Sequence, residues 1–316
     1  MGNPILEPAA QELVEVIANA TSPTPPSLED VRKGLDDLQA APVEKPDVQE
    51  KWITVPAEVG DVQVRIVKPV GANGLVPVVV FMHGGGWVLG DAHTYDRFVR
   101  ELAVGADAAV AFVEYDRSPE ARYPVAIEQG YAVARWITAK GVDENLDATR
   151  MAVAGDSAGG NMTAALTIMA KQRGDVSFVH QSLYCPVTDA AQDTGSYREF
   201  AAGPFLSAEQ MAWFWDCYTP DPAERAEITA SPLLAELDDL AGLPPALVIV
   251  DENDVLRDEG EAYARKLTQA GVPTISVRYN GTLHDFMVLN RLRSTQAATA
   301  AMHQATQTMR AALHAG

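Results

Sequence analysis

Cysteine is nearly absent from this 316-residue chain: Cys185 and Cys217 are the only two. Two thiols supply neither a disulfide framework nor a four-ligand zinc site, so they read as reduced, partly buried groups. Positive charge is scarce too, with 24 Lys and Arg against 43 Asp and Glu and a formal net charge of −19. Such a chain has no electrostatic footprint for nucleic acid or an anionic membrane, and it repels polyanions at long range. Apolar runs stay well short of the roughly 18 residues that span a bilayer. The opening stretch, Met1 to Glu7, has no basic segment and too short an apolar one for a secretory signal. Leu6 also stands where myristoylation of Gly2 requires Ser or Thr. These absences predict a soluble cytoplasmic protein with a small neutral partner and with no nucleic-acid or membrane partner.

What remains is the composition of a folded chain, 47% hydrophobic and 21% charged, long enough for one large or two modest domains. Leu6, Ala10, Leu13 and Ile17 recur at helical spacing, and Thr21-Ser-Pro-Thr-Pro-Pro26 then breaks the chain. Ser27 with Asp30 forms a capping-box pattern that opens a second helix through Val31, Leu35 and Leu38. These loosely tethered helices, residues 1–50, read as a lid. Val62, Val64 and Ile66 then alternate with polar residues, as in a half-exposed strand. Further strand patterns at 76–82, 108–113, 151–154, 178–184, 246–250 and 274–279 are separated by helical ones at 125–139, 161–171, 259–270 and after 294. That alternation predicts the α/β class, with a mostly parallel central sheet and helices on both faces. No strand pattern appears between Pro186 and Leu243. Within that interval, residues 186–230 carry the aromatic stretch Met211 to Tyr218 and are expected to form a cap insertion. The catalytic domain is then 51–185 plus 231–316.

Chemistry concentrates at the predicted strand ends. Gly155-Asp-Ser-Ala-Gly159 lies between a strand and a helix, where a tight turn exposes Ser157 and sets the Ala158 N–H at a helix start. His83-Gly-Gly-Gly-Trp87 follows another strand, and its glycines let backbone N–H groups approach a substrate oxygen. It lacks the Gly-Lys-Ser/Thr of a phosphate loop and the register of a dinucleotide fingerprint. A serine nucleophile needs a base, and imidazole titrates near neutrality. Of six histidines, His284 falls in the loop between the last strand and the last helix; His83 suits a structural hydrogen bond. A carboxylate to orient the base comes from Asp251 or Asp254, between which spacing does not choose, while Asp258 could cap the following helix. The order Ser, acid, His is that of α/β-hydrolases.

With Ser231-Pro-Leu-Leu234 and Asp254-Val-Leu-Arg-Asp-Glu-Gly260, these motifs make the chain resemble bacterial hormone-sensitive-lipase-like carboxylesterases of the α/β-hydrolase superfamily, over about residues 50–290. The resemblance implies Ser157 as nucleophile, His284 as base and Asp254 as its partner. It further implies an oxyanion hole from the N–H groups of Gly85, Gly86 and Ala158, a helical cap, no cofactor or metal, and short to medium acyl esters as substrates. Trp87, Asp156, Phe205 and Trp213 are the candidate substrate contacts, and with Phe214 and Trp215 the bulky residues are expected to shorten the acyl channel. A homodimer is left open. The rival readings are an amide or formamide hydrolase with the same triad, and a non-catalytic receptor on the same fold. Three departures from the family pattern stand out: Asp254-Val-Leu for Asp-Pro-Leu, Tyr115-Asp-Arg-Ser-Pro-Glu120 for Tyr-Arg-Leu-Ala-Pro-Glu, and Asp285 for the usual Gly. The last is expected to raise the pKa of the neighbouring base.

Overall fold

The structure, a computed structural model, describes residues 4–19 and 27–315. The break read at 21–26 and the first three residues of the opening stretch lie outside that range. Eight strands form one sheet: β1 (Val48–Val55), β2 (Val62–Pro69), β3 (Val76–Met82), β4 (Ala109–Glu114), β5 (Leu146–Asp156), β6 (His180–Tyr184), β7 (Ala246–Asn253) and β8 (Thr274–Leu283). Their spatial order is β1-β2-β4-β3-β5-β6-β7-β8. The first two pairings, β1 with β2 and β2 with β4, are antiparallel; the rest are parallel.

The pleat sorts side chains between the faces. In β3, Val78, Val80 and Met82 enter the core beneath α4 (Val125–Lys140) and α5 (Ala158–Arg173). Val79 and Phe81 enter the one beneath α3 (Asp96–Ala106) and α11 (Gln296–Leu313). Burial on both sides explains why the central strands read as unbroken apolar runs rather than alternations. A third cluster lies under α10 (Arg257–Gln269), beside β7. The edge strand β1 is mostly exposed and carries Gln49, Glu50 and Lys51, so its first residues read as the end of the 1–50 segment.

The interval between β6 and β7 holds α6 (Gly195–Glu199), α7 (Ala208–Tyr218), α8 (Pro222–Arg225) and α9 (Leu237–Leu240), with no strand among the described residues. At the amino-terminal end come α1 (Pro8–Asn19) and α2 (Leu28–Gln39), the latter opened by the expected Ser27–Asp30 capping box. These two helices are anchored more firmly than their composition suggests. Glu7 N–H donates to Gly281 O at 2.8 Å, and Gln39 bonds Thr94 O at 2.9 Å and Asn290 N–H at 2.8 Å. Arg32 grips both Glu120 oxygens at 2.8 Å. Every one of these contacts falls on a loop at the carboxyl ends of the strands or on a neighbouring element. No helix among the described residues is long and apolar enough to cross a membrane.

Candidate active site

The carboxyl ends of β3, β5, β7 and β8 converge on one point. Ser157 sits between β5 and α5 with φ +53° and ψ −120°, a conformation that non-glycine residues rarely adopt. The surrounding backbone holds it there: Ser157 N–H donates to Tyr184 O at 2.8 Å, and its own carbonyl accepts from Asn161 N–H at 3.0 Å. The turn is tight enough to exclude side chains on either side of the serine. A Cβ on Gly155 would strike the Gly159 carbonyl, and one on Gly159 would strike that of Met82.

The Ser157 hydroxyl meets His284 Nε2 at 2.9 Å, and His284 Nδ1 meets Asp254 Oδ2 at 2.7 Å. Asp254 is itself oriented by the Leu256 N–H, which donates to its other oxygen at 3.1 Å. All three side chains are buried. This geometry decides between the two carboxylates left open by spacing. Asp251 is buried as well, but it is Asp254 that reaches Nδ1. Asp258 is not a helix cap: it accepts from Ser196 N–H at 2.8 Å and ties α10 to α6.

Gly85 and Gly86 both have positive φ, +89° and +61°. A Cβ on Gly86 would overlap the Phe214 ring, and one on Gly85 the Leu89 backbone. The N–H groups of Gly85, Gly86 and Ala158 donate to no protein acceptor among the described residues. Gly84 N–H, by contrast, is occupied by Asp156 Oδ1 and Tyr95 Oη, each at 3.1 Å. His83 takes the structural role expected of it, with Nδ1 2.9 Å from Gly84 O and its ring stacked on Tyr115 and Phe112. Burial pushes it down to about 3, so it is neutral.

Two expected substrate contacts are engaged within the protein. Asp156 is wholly buried, and its second oxygen accepts from Tyr95 Oη at 2.7 Å, so it braces the glycine loop against β5. Trp87 is also fully buried, stacked on Tyr218 at 4.2 Å and tilted against Trp215 at 4.8 Å. It is a strut between the glycine loop and α7. Phe205 is half-buried against the core that includes Phe286 and Val288. Trp213 is 37% exposed, its ring tilted against Phe214, 5.1 Å away. Phe214 itself lies over Gly86. The aromatic stretch hinted at this, but the α7 face that points inward was not resolvable from three consecutive aromatics.

Carboxylates crowd the base. Burial alone would lower the His284 pKa, but Asp254, Asp285 and Asp251 outweigh it and push it up to about 10. Asp285 Oδ1 lies 3.5 Å from His284 Nε2, the nitrogen that faces Ser157. Burial raises Asp285 above the usual carboxylate range, and it raises Asp156 and Asp251 well above that range. Cys185 Sγ completes this group, 3.7 Å from Asp285 Oδ1. Cys185, Asp251 and Asp285 come from three separate strand ends, so no local pattern linked them.

A parallel sheet with a strained serine on the turn after β5 and a buried Ser-His-Asp chain at its carboxyl edge defines a serine hydrolase scaffold. Residues 79–288 match the family model described as alpha/beta hydrolase fold. The chain belongs to that family, in the hormone-sensitive-lipase-like branch its motifs imply. Carboxylesterase NlhH of Mycobacterium tuberculosis is 33% identical over 318 residues, covering 100% of this chain and 98% of that protein. Esterase LipI of the same organism is 36% identical, covering 91% and 89%. Among solved structures, a thermostable esterase from Pseudomonas putida superposes with a TM-score of 0.96 at 44% identity, covering 99% of each chain.

Proposed function

We propose that this chain is a carboxylic ester hydrolase acting on small neutral esters through an acyl-enzyme on Ser157. The observation that carries the reading is the unbroken chain Ser157 Oγ, His284, Asp254, at 2.9 and 2.7 Å, beside three undonated backbone N–H groups. His284 takes the serine proton as Oγ attacks the ester carbonyl, and Asp254 holds the imidazole in the tautomer that can accept it. Gly85, Gly86 and Ala158 then face the developing oxyanion. Return of the proton to the alcohol completes acylation, and water repeats the cycle to release the acid. The esterase names of the relatives support the reaction class.

We further assign α1 and α2, from the expected 1–50 segment, together with residues 186–230, as a cap over this centre. The contacts of α1 and α2 with the strand-end loops, and the packing of α7 against Trp87 and Gly86, support this. A cap packed with aromatics leaves room for short to medium acyl chains. Both cysteines are free thiols, the state a reducing cytoplasm maintains, and we place the enzyme there. Labelling with a serine-directed organophosphate tests the assignment: modification of Ser157 alone, with loss of ester hydrolysis, is expected. A label on another serine overturns it. Faster cleavage of an anilide than of the ester with the same acyl group would move the activity to amides.

A further inference from the structure

We propose that Cys185 Sγ, His284 Nε2 and Asp285 Oδ1 form a seat for a zinc-class divalent cation, and that its occupancy switches the hydrolase off. The spacing is the first support. Zinc bonds sulfur at about 2.3 Å and nitrogen or oxygen at about 2.0 Å, so tetrahedral ligation sets S···O and N···O edges at about 3.5 and about 3.3 Å. The corresponding separations here are 3.7 and 3.5 Å. All three donor atoms lie within 4.8 Å of one another, so an ion at their centre needs only small side-chain movements.

The surroundings supply an independent observation. Asp251, 1% exposed and hydrogen-bonded carboxyl to carboxyl with Asp254, lines the same narrow gap as Cys185 and Asp285, with Asp156 on another wall. That gap is too narrow for a water molecule. A bare cation is smaller than water and can enter where solvent does not. Asp251 and Asp254 form a second group with His284, all within 4.8 Å, so a dication at the seat would lie close to further acidic side chains in a chain already at −19. The mixture of sulfur, nitrogen and oxygen donors selects zinc-class ions over magnesium or calcium, which take oxygen.

The consequence follows from one atom. Nε2 is the nitrogen that faces Ser157 Oγ at 2.9 Å, and a metal bond there occupies the lone pair that would accept the serine proton. The inhibitory half of the proposal therefore rests on His284 being the base. Seating the ion displaces the Cys185 thiol proton to solvent, and removing the ion with a chelator restores the thiol and the base.

The test uses the full chain stripped with EDTA. Zinc alone, titrated calorimetrically without substrate, should bind one ion per chain, and the same concentrations should suppress hydrolysis of a four-carbon nitrophenyl ester reversibly. Cobalt(II) as a spectroscopic probe should show a thiolate charge-transfer band. In Cys185→Ala that band should vanish and the inhibitory zinc concentration should rise about tenfold or more. Asp285→Asn should weaken inhibition likewise, Cys217→Ala should not, and magnesium should have no effect. Equal zinc inhibition in the parent and Cys185→Ala, or zinc-free enzyme that cleaves esters yet binds no zinc, overturns the seat. Zinc-free enzyme that binds the ion but cleaves no ester overturns the esterase assignment and leaves the seat standing.

Discussion

Replacing Asp285 with asparagine should move the acid limb of kcat/KM to lower pH. Asparagine is preferable to glycine because Asp285 has φ +64°, which Asn tolerates, so the loop keeps its shape while the charge is removed. The carboxylate lies 3.5 Å from His284 Nε2. With an effective dielectric between about 80 and about 20, Coulomb attraction there is about 1.2–4.7 kcal/mol, or roughly 1–3.5 pKa units. The lower end applies, because burial and the neighbouring carboxylates raise Asp285 itself, and while it is protonated it exerts no charge. The sign is unambiguous. Asp285 stabilises imidazolium, whereas catalysis needs neutral imidazole, so the parent enzyme should lose activity as pH falls through a His284 pKa pushed up to about 10. The variant's limb should lie about one unit lower, with hydrolysis at neutral pH about tenfold faster. Measuring kcat/KM for a four-carbon nitrophenyl ester from pH 5 to pH 10, with EDTA present to exclude metal effects, reads this directly. Added salt should leave the displacement nearly intact, since the pair is buried. An unmoved limb in a variant of unchanged Tm, or one displaced upward, refutes the coupling.

Ser157→Ala should reduce kcat by about 10³-fold or more while circular dichroism and Tm stay near the parent values; near-normal turnover would remove Ser157 from the mechanism. Gly86→Ala should lose oxyanion stabilisation, falling about 10²-fold in kcat, because the new methyl overlaps the Phe214 ring; Phe214→Ala in the same chain should restore part of the loss. Trp87→Ala should lower stability by about 3–5 kcal/mol in chemical denaturation, as for other buried aromatics, and a change confined to KM would mark it as a substrate contact. Across nitrophenyl esters of increasing acyl length, a sixteen-carbon chain should be cleaved more slowly than a four-carbon one, with the maximum at roughly two to eight carbons. The reverse order would show that the aromatic packing of the cap does not limit the acyl site.

How far the sequence reveals this site depends on how local each piece of chemistry is. The serine turn was legible because its constraints act over five residues: Gly155 and Gly159 leave room for carbonyls that any Cβ would strike, and strand and helix patterns flank them. The central strands were legible for a similar reason, since burial on both faces demands an unbroken apolar run. The choice between Asp251 and Asp254 was different. Asp251 lies at the end of β7 and Asp254 just beyond it, both are buried, and only the path of the chain there decides which carboxylate reaches Nδ1. Family resemblance pointed to Asp254, whereas spacing could not. Trp87 and Asp156 show the same limit from the other side. Both lie beside reactive groups in sequence, yet Trp87 turns under α7 and Asp156 turns into the sheet to hold Gly84. Adjacency along the chain is a poor guide to adjacency in a turn, where successive side chains diverge. Asp285 was the exception: one residue from the base in sequence, it also faces it in space, because its positive φ folds the loop back toward Cys185 and Nε2. The charge environment of the base is thus set by the ends of two strands, β7 with Asp251 and Asp254 and β8 with Asp285.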